Sequence, residues 1–190
     1  MIGGLIRLAL VGAGAAYVAD RILARRAEEA PREPIVSEVE IDAPADAVWA
    51  VVADVTGQPR WMTDLKAVEA LSSGPIGVGS RYRGRVRILG ITVDDPVEIT
   101  EFDPPRRFAI RHDGRFTGSG IIDLEPVGDG SRTRVTWNET LVPPVLPHLG
   151  AAIGAPILSA VFQADLDRLK VLVEDGEAAL AALTGSATEG

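Results

Sequence analysis

The sequence predicts an α+β domain in which a curved antiparallel β-sheet wraps around a long C-terminal α-helix, with an extra hydrophobic helix at the N-terminus. Three observations predict it. Between Ile35 and Leu141, polar and apolar residues alternate in short runs separated by Gly, Pro and Asp turns, the period-2 signature of half-buried strands. Beyond Pro147 the period changes: Ile157, Val161, Phe162, Leu166, Leu169, Leu172 and Val173 form one apolar stripe, with Asp165, Asp167, Arg168, Lys170 and Glu174 opposite. Residues 2–19 are apolar nearly all round, interrupted only by Arg7.

The elements follow in order. Ile35, Ser37, Val39 and Ile41 make a first strand that stops at Ala43-Pro44. Proline, with fixed φ, suits the first turn of a helix, and Asp46 in that turn complements the helix dipole. Val48, Val51, Val52 and Val55 continue that helix until Gly57 and Pro59, and a second short segment carries Trp61. Lys66–Leu71 reads as a strand. Ser80–Leu89 alternates strictly, with Arg81, Arg83, Arg85 and Arg87 on one face and Tyr82, Gly84, Val86 and Ile88 on the other. Gly90 turns it into Ile91–Phe102, where Val97, Ile99 and Glu101 share a face. Asp103-Pro104-Pro105 connects to a strand with Phe108, Ile110 and His112 on one face, and Asp113-Gly114 turns into the next, where Phe116, Gly118, Gly120, Ile122 and Leu124 alternate. Gly128–Ser131 leads to the last strand, which turns Val135, Trp137, Glu139 and Leu141 to one face. Pro156 is expected to start or kink the final helix, and Gly176 to end its main part before a short Ala/Leu helix over 177–183. The resulting division is a hydrophobic helix over 1–26, a polar linker over 27–34, the domain over 35–183 and a disordered tail over 184–190.

Antiparallel strands followed by one long amphipathic helix have one obvious packing solution: the sheet curls, and the helix stripe covers its concave face. Gly84, Gly118 and Gly120 fall on that face, where missing side chains permit strong curvature and leave room.

Composition narrows the function. The apolar share of 46% is ample for a core, and 24% charge is ordinary for a globular chain. The net charge of −8 is unevenly spread: residues 1–26 carry a local +3, so the remainder carries about −11. An acidic body repels phosphate backbones, which argues against nucleic acid as a partner. With no cysteine there is no disulfide framework, thiolate nucleophile or Cys-based metal site. His148 has no second imidazole at ligand spacing, so the sequence points to no metal. No serine sits in a Gly-x-Ser-x-Gly elbow, and Gly77-x-Gly79 lacks the strand-to-helix setting of a dinucleotide loop, so no cofactor is indicated.

The entry segment Ile41–Trp49 with Gln58-Pro59-Arg60-Trp61-Met62 resembles the start of the START-like helix-grip fold, the SRPBCC superfamily, whose small bacterial members include polyketide cyclase/dehydrase-like proteins. Gly77–Tyr82, Asp103–Arg106, Leu124–Gly130 and Asp165–Lys170 extend the resemblance over roughly residues 36–177. It implies an apolar pocket between sheet and long helix, with a mouth near the second short helix. Carried onto this chain, the wall comprises Trp61, Tyr82, Phe108, Ile110, Phe116, Ile122, Trp137, Leu158 and Phe162, with His112 and Glu139 as polar members. Taken singly, each of these residues reads more readily as simple core; taken together, an apolar set with a few placed polar groups favours a pocket.

His112 and Glu139 are the polar residues whose strand parity points inward. Such a couple suits general acid–base work, orientation of a ligand carbonyl, or a satisfied polar pair near the mouth. Asp64 and Glu101 are weaker candidates. The arginine stripe reads as a solvated face, with Glu98 as a cross-strand partner and with Asp123 and Glu125 facing Arg132 and Arg134. The function expected is binding or carriage of a hydrophobic small molecule (a lipid, isoprenoid or polyketide). The alternatives are a cyclase/dehydratase-type enzyme using the same cavity and an interaction module with a filled core.

Residues 2–19 would span roughly 27 Å as a helix, about one hydrocarbon core. Arg7 can snorkel at one end, and Arg21, Arg25 and Arg26 flank the other, which favours a membrane anchor with the domain on the cytoplasmic side. A helix docked on the domain or on a partner is the alternative. A cleaved signal peptide fits less well, because the positive charges follow the apolar run. Oligomeric state is not legible.

Overall fold

The computed structural model describes residues 2–29, 33–88 and 91–186. Helix α1 (Ile2–Glu29) precedes strand β1 (Ile35–Ile41), helix α2 (Ala45–Val52) and a 3-10 helix (Val55–Arg60). Strands β2 (Leu65–Ala70), β3 (Arg81–Ile88), β4 (Ile91–Asp103), β5 (Arg107–Asp113), β6 (Thr117–Val127) and β7 (Arg132–Val142) follow, then helix α3 (Pro147–Ser186). All the strands form one antiparallel sheet in the order β1-β7-β6-β5-β4-β3-β2. The last strand thus returns to pair with the first, and α3 lies across the concave face.

The α2 segment begins one residue later than its proline suggests. Pro44 is the N-cap, at φ −66° and ψ 154°, and its carbonyl accepts from Ala47 N and Val48 N. The helix stops at Val52, so Val55 belongs to the 3-10 helix, which Asp54 caps by accepting from Gly57 N at 3.0 Å. Val48 and Val52 are fully buried and close one end of the grip.

Along α3 the buried stripe is Leu166, Leu169 and Val173. Its flanking polar residues clamp the outer edge of β1. Gln163 Nε2 donates to Glu38 O at 3.1 Å, Lys170 Nζ donates to Glu40 O at 2.7 Å, and Asp42 N donates to Glu174 Oε1 at 2.8 Å. An edge strand leaves a row of unpaired backbone groups, and here the helix supplies side chains that satisfy some of them. Asp165, expected on the solvent side, is instead buried, because its Oδ1 accepts from Thr63 N at 3.0 Å and pairs with Arg168 at 2.7 Å.

Several boundaries differ from the sequence expectation. Helix α1 runs to Glu29, into the expected linker, and residues 30–32 lie outside the described residues. Helix α3 continues through both Pro156 and Gly176 to Ser186, since one lost N–H and one flexible residue do not outweigh two flanking helical runs. Residues 187–190 of the expected tail, and the turn at Gly90, are outside the described residues.

Glu101 does not face inward. The β4–β5 register shifts between Ile99 and Glu101, and one extra residue reverses the parity beyond it. Glu101 therefore points to solvent and pairs with Arg107 at 2.8 Å, while Phe102 turns in against Trp49. The arginine face of β3 is exposed as expected, with Arg83 on Glu69 and Arg85 on Asp94. Its neighbours pair differently: Glu98 serves Arg111, Asp123 serves Arg107, and Arg132 and Arg134 reach back to Glu40 on β1. Exposed pairs of this kind contribute only ~0.2–1 kcal/mol each, so they set register more than stability.

Candidate functional site

The concave face is not filled. Between the sheet and α3 lies an apolar chamber of about 150 Å³. A larger outer chamber of about 600 Å³ is bounded by Leu23 of α1, the first turns of α3 and the end of β7. The two share Asp64, Phe116, Glu139, Leu141, Leu158 and Val161 in their walls, so they adjoin. Ligand sites typically measure ~300–1,000 Å³; together the chambers reach that range, and a filled core is not what the fold contains.

Of the expected wall residues, Ile110, His112, Phe116, Trp137, Glu139, Leu158 and Phe162 line the inner chamber. Trp61, Tyr82, Phe108 and Ile122 do not; they are buried in the packed core. The reason for two of them is visible in the packing around them. Phe108 sits at the α2 end of β5, where Trp49 and Phe102 fill the space at centroid distances of 6.4 and 6.3 Å. The chamber opens only two residues further on, at Ile110 and His112. Trp61 lies a layer behind the wall, edge-on to Trp137 at 6.0 Å.

His112 and Glu139 meet, with a third partner on β4. His112 Nδ1 is 2.8 Å from Asp95 Oδ2, His112 Nε2 is 3.0 Å from Glu139 Oε1, and Trp137 Nε1 donates to Glu139 Oε2 at 2.8 Å. The strand ladder sets this up: Val97 lies opposite His112 and Gly120 lies opposite Glu139. A Cβ at Gly120 would come within 2.5 Å of Glu139 Oε2, so the space vacated there seats the carboxylate instead of widening the cavity. At Gly118, φ is +146° and a Cβ would collide with Thr140 O, so that glycine answers a backbone approach. Only Gly84, of the three glycines expected to leave room, is in the chamber wall.

Burial by itself would lower the His112 pKa, but hydrogen bonds to Asp95 and Glu139, together with their charges, outweigh it and raise the value to about 10. The ring is thus an imidazolium at neutral pH, with both N–H groups donating. Burial pushes Glu139 up from the ordinary carboxylate range, against the opposing pull of His112 and Trp137. Burial raises Asp165 as well.

Asp95, in the chamber wall and bonded to His112, is the candidate site residue that the sequence reading passed over. Its signal was present, since Asp95 shares strand parity with Val93 and Val97, both of which also line the chamber. Gln58 and Asp165 are the other polar residues of the inner wall not anticipated, and Glu33, Thr140 and His148 are those of the outer wall. Gln58 is held by its Nε2 donating to Val52 O at 3.0 Å. Asp64 lies at the junction of the chambers, and Glu101 lies outside them.

An antiparallel sheet gripping one long helix over an apolar cavity defines a START-like helix-grip protein. The chain belongs to the polyketide cyclase / dehydrase and lipid transport family, whose model matches residues 34–174. A protein from Deinococcus radiodurans of known structure is 30% identical, with 74% of this chain and 96% of that one covered and a TM-score of 0.58. The Zhui aromatase/cyclase from Streptomyces sp. R1128 shares the fold at 24% identity, covering 73% and 92%, with a TM-score of 0.57. A START superfamily protein from Mycobacterium smegmatis does so at 19% identity, covering 78% and 99%, with a TM-score of 0.56. No curated protein matches the sequence. Family membership supports hydrophobic-ligand binding or cyclase activity.

Proposed function

We propose that this protein binds or carries a hydrophobic small molecule of the lipid, isoprenoid or polyketide kind in its two-chamber cavity, tethered to a membrane by α1. The observation that carries the binding reading is the state of His112. Both ring nitrogens are engaged by carboxylates, and an imidazolium so held has no lone pair with which to take a proton from a substrate. Both Glu139 oxygens likewise accept bonds within the protein. The polar group is built to be stable more than to exchange protons. In native mass spectrometry of protein purified without detergent exchange, we expect an apolar adduct on the intact mass. Ligand-free protein, with turnover of a polyketide substrate by wild type that collapses in His112→Phe, would favour the cyclase reading.

Support for the tether comes from the apolar run of residues 2–19 and from α1 itself, where Tyr17, Val18 and Ile22 are exposed. Asp20 also joins α1 to the cavity roof: its Oδ1 accepts from His148 N at 2.8 Å and Leu149 N at 2.9 Å, satisfying free N–H groups at the start of α3. Pro147–Ala179 is itself long and apolar enough to cross a membrane by length and composition. Its Leu166, Leu169 and Val173 are core residues, however, which identifies it as the gripping helix. On fractionation of expressing cells, full-length protein is expected with membranes, and a chain beginning at Glu33 in the soluble fraction. Recovery of both as soluble protein would remove the tether from this proposal.

A further inference from the structure

The ionisable residues on the cavity walls are sorted by sign. Glu33, Asp64, Asp95, Glu139 and Asp165 line the two chambers, and among the described residues no lysine or arginine does. The chain has 19 lysines and arginines, so the fold keeps them elsewhere; the β3 stripe is one example. Among the described residues, His112 and His148 are the only basic groups in the walls.

These acids are incompletely compensated. Asp165 has Arg168 at 2.7 Å. His112 lies between Asp95 and Glu139, so one imidazole serves two carboxyl groups. Asp64, in the wall of both chambers, makes no ion pair with any described residue. A carboxylate with no cation beside an apolar wall gains from an ammonium brought to it. The same wall offers the rings of Phe116, Trp137 and Phe162, and ring faces attract ammonium groups.

We propose that the cavity selects an apolar molecule carrying a protonated amine, its ammonium placed near Asp64 and Glu139 and its hydrocarbon body along Leu158, Val161 and Phe162. This rests on the reading of the cavity as a hydrophobic-ligand site and specifies the ligand's head group. A fatty carboxylate of the same length is the least favoured ligand, because it meets carboxylates while both ring nitrogens of His112 are already engaged. A neutral alcohol falls between.

The test is displacement of the uncharged dye Nile red from full-length protein at pH 7 by decylamine, decanol and decanoate, which share one chain length. Decylamine is expected to displace the dye at a concentration at least tenfold below that of decanol, with decanoate weakest. Asp64→Asn is expected to narrow the amine-to-alcohol ratio at least threefold. Equal potency of the three, or preference for decanoate, while the dye still binds saturably, overturns the amine inference and leaves the cavity reading standing. Failure of Nile red to bind saturably removes both.

Discussion

Replacing His112 with phenylalanine is expected to destabilise the domain by ~3–5 kcal/mol at neutral pH, the usual consequence of removing one partner from a buried ion pair. Asp95 and Glu139 would then face each other's charge across the apolar chamber with nothing between them. Proton uptake by Glu139 offsets part of that cost, so the loss should shrink as pH falls. Urea denaturation reads the effect directly. His112→Phe combined with Glu139→Gln should recover part of the lost stability, because the second change removes the stranded charge. An unchanged midpoint in the single variant would mean that the imidazole is not a charged hub.

The wild-type pH profile carries the same information with a definite sign. His112 is raised from 6.5 to about 10 in the fold, so the folded state holds this proton more tightly than the unfolded chain. The associated stability is complete below about pH 6.5 and is lost as pH rises towards 10, with a limiting slope of ~1.4 kcal/mol per pH unit. Glu139 is raised as well. Its contribution is complete below its ordinary value and fades as pH rises through its raised folded value. The alkaline slope should be absent from His112→Phe.

The second large effect is expected at Trp137. It is almost wholly buried, donates to Glu139, stacks near Phe162 at 4.7 Å and meets Trp61 edge-on. Trp137→Ala should cost ~3–5 kcal/mol from lost packing and the cavity left behind, with Glu139 additionally losing a donor. Arg85→Ala is the matched surface control. Its side chain is 64% exposed and its partner Asp94 is 3.7 Å away, and surface changes usually stay within ~0.5 kcal/mol. Equal urea midpoints for the two variants would contradict the strand parity on which the site is built.

That parity was the most legible part of the sequence. Period-2 alternation alone places His112, Trp137 and Glu139 on one concave face, because a strand with one buried face has little freedom of register. What alternation could not show was where along each strand the cavity begins. Phe108 and His112 share a face of β5, yet α2 fills the space over the first and leaves the second open, a matter of tertiary packing. The β4 bulge reversed Glu101 for the same kind of reason, since an inserted residue leaves no mark in a pattern of apolar and polar letters. Asp95 was readable in principle and was missed because an acid in an inward position breaks the apolar run that draws attention. Asp165 carried no such signal; its burial depends on Thr63 N, 102 positions away in the chain.

The central claim is that the two chambers form one site for an apolar ligand, and Leu158, in the wall of both, is the place to test it. Full-length wild type should bind Nile red saturably at one site per chain. Leu158→Trp should weaken that binding at least tenfold, while circular dichroism and the urea midpoint stay close to wild type. Undiminished dye binding by a well-folded Leu158→Trp protein would place the dye on the exposed apolar faces of α1 and α3, and would contradict the account.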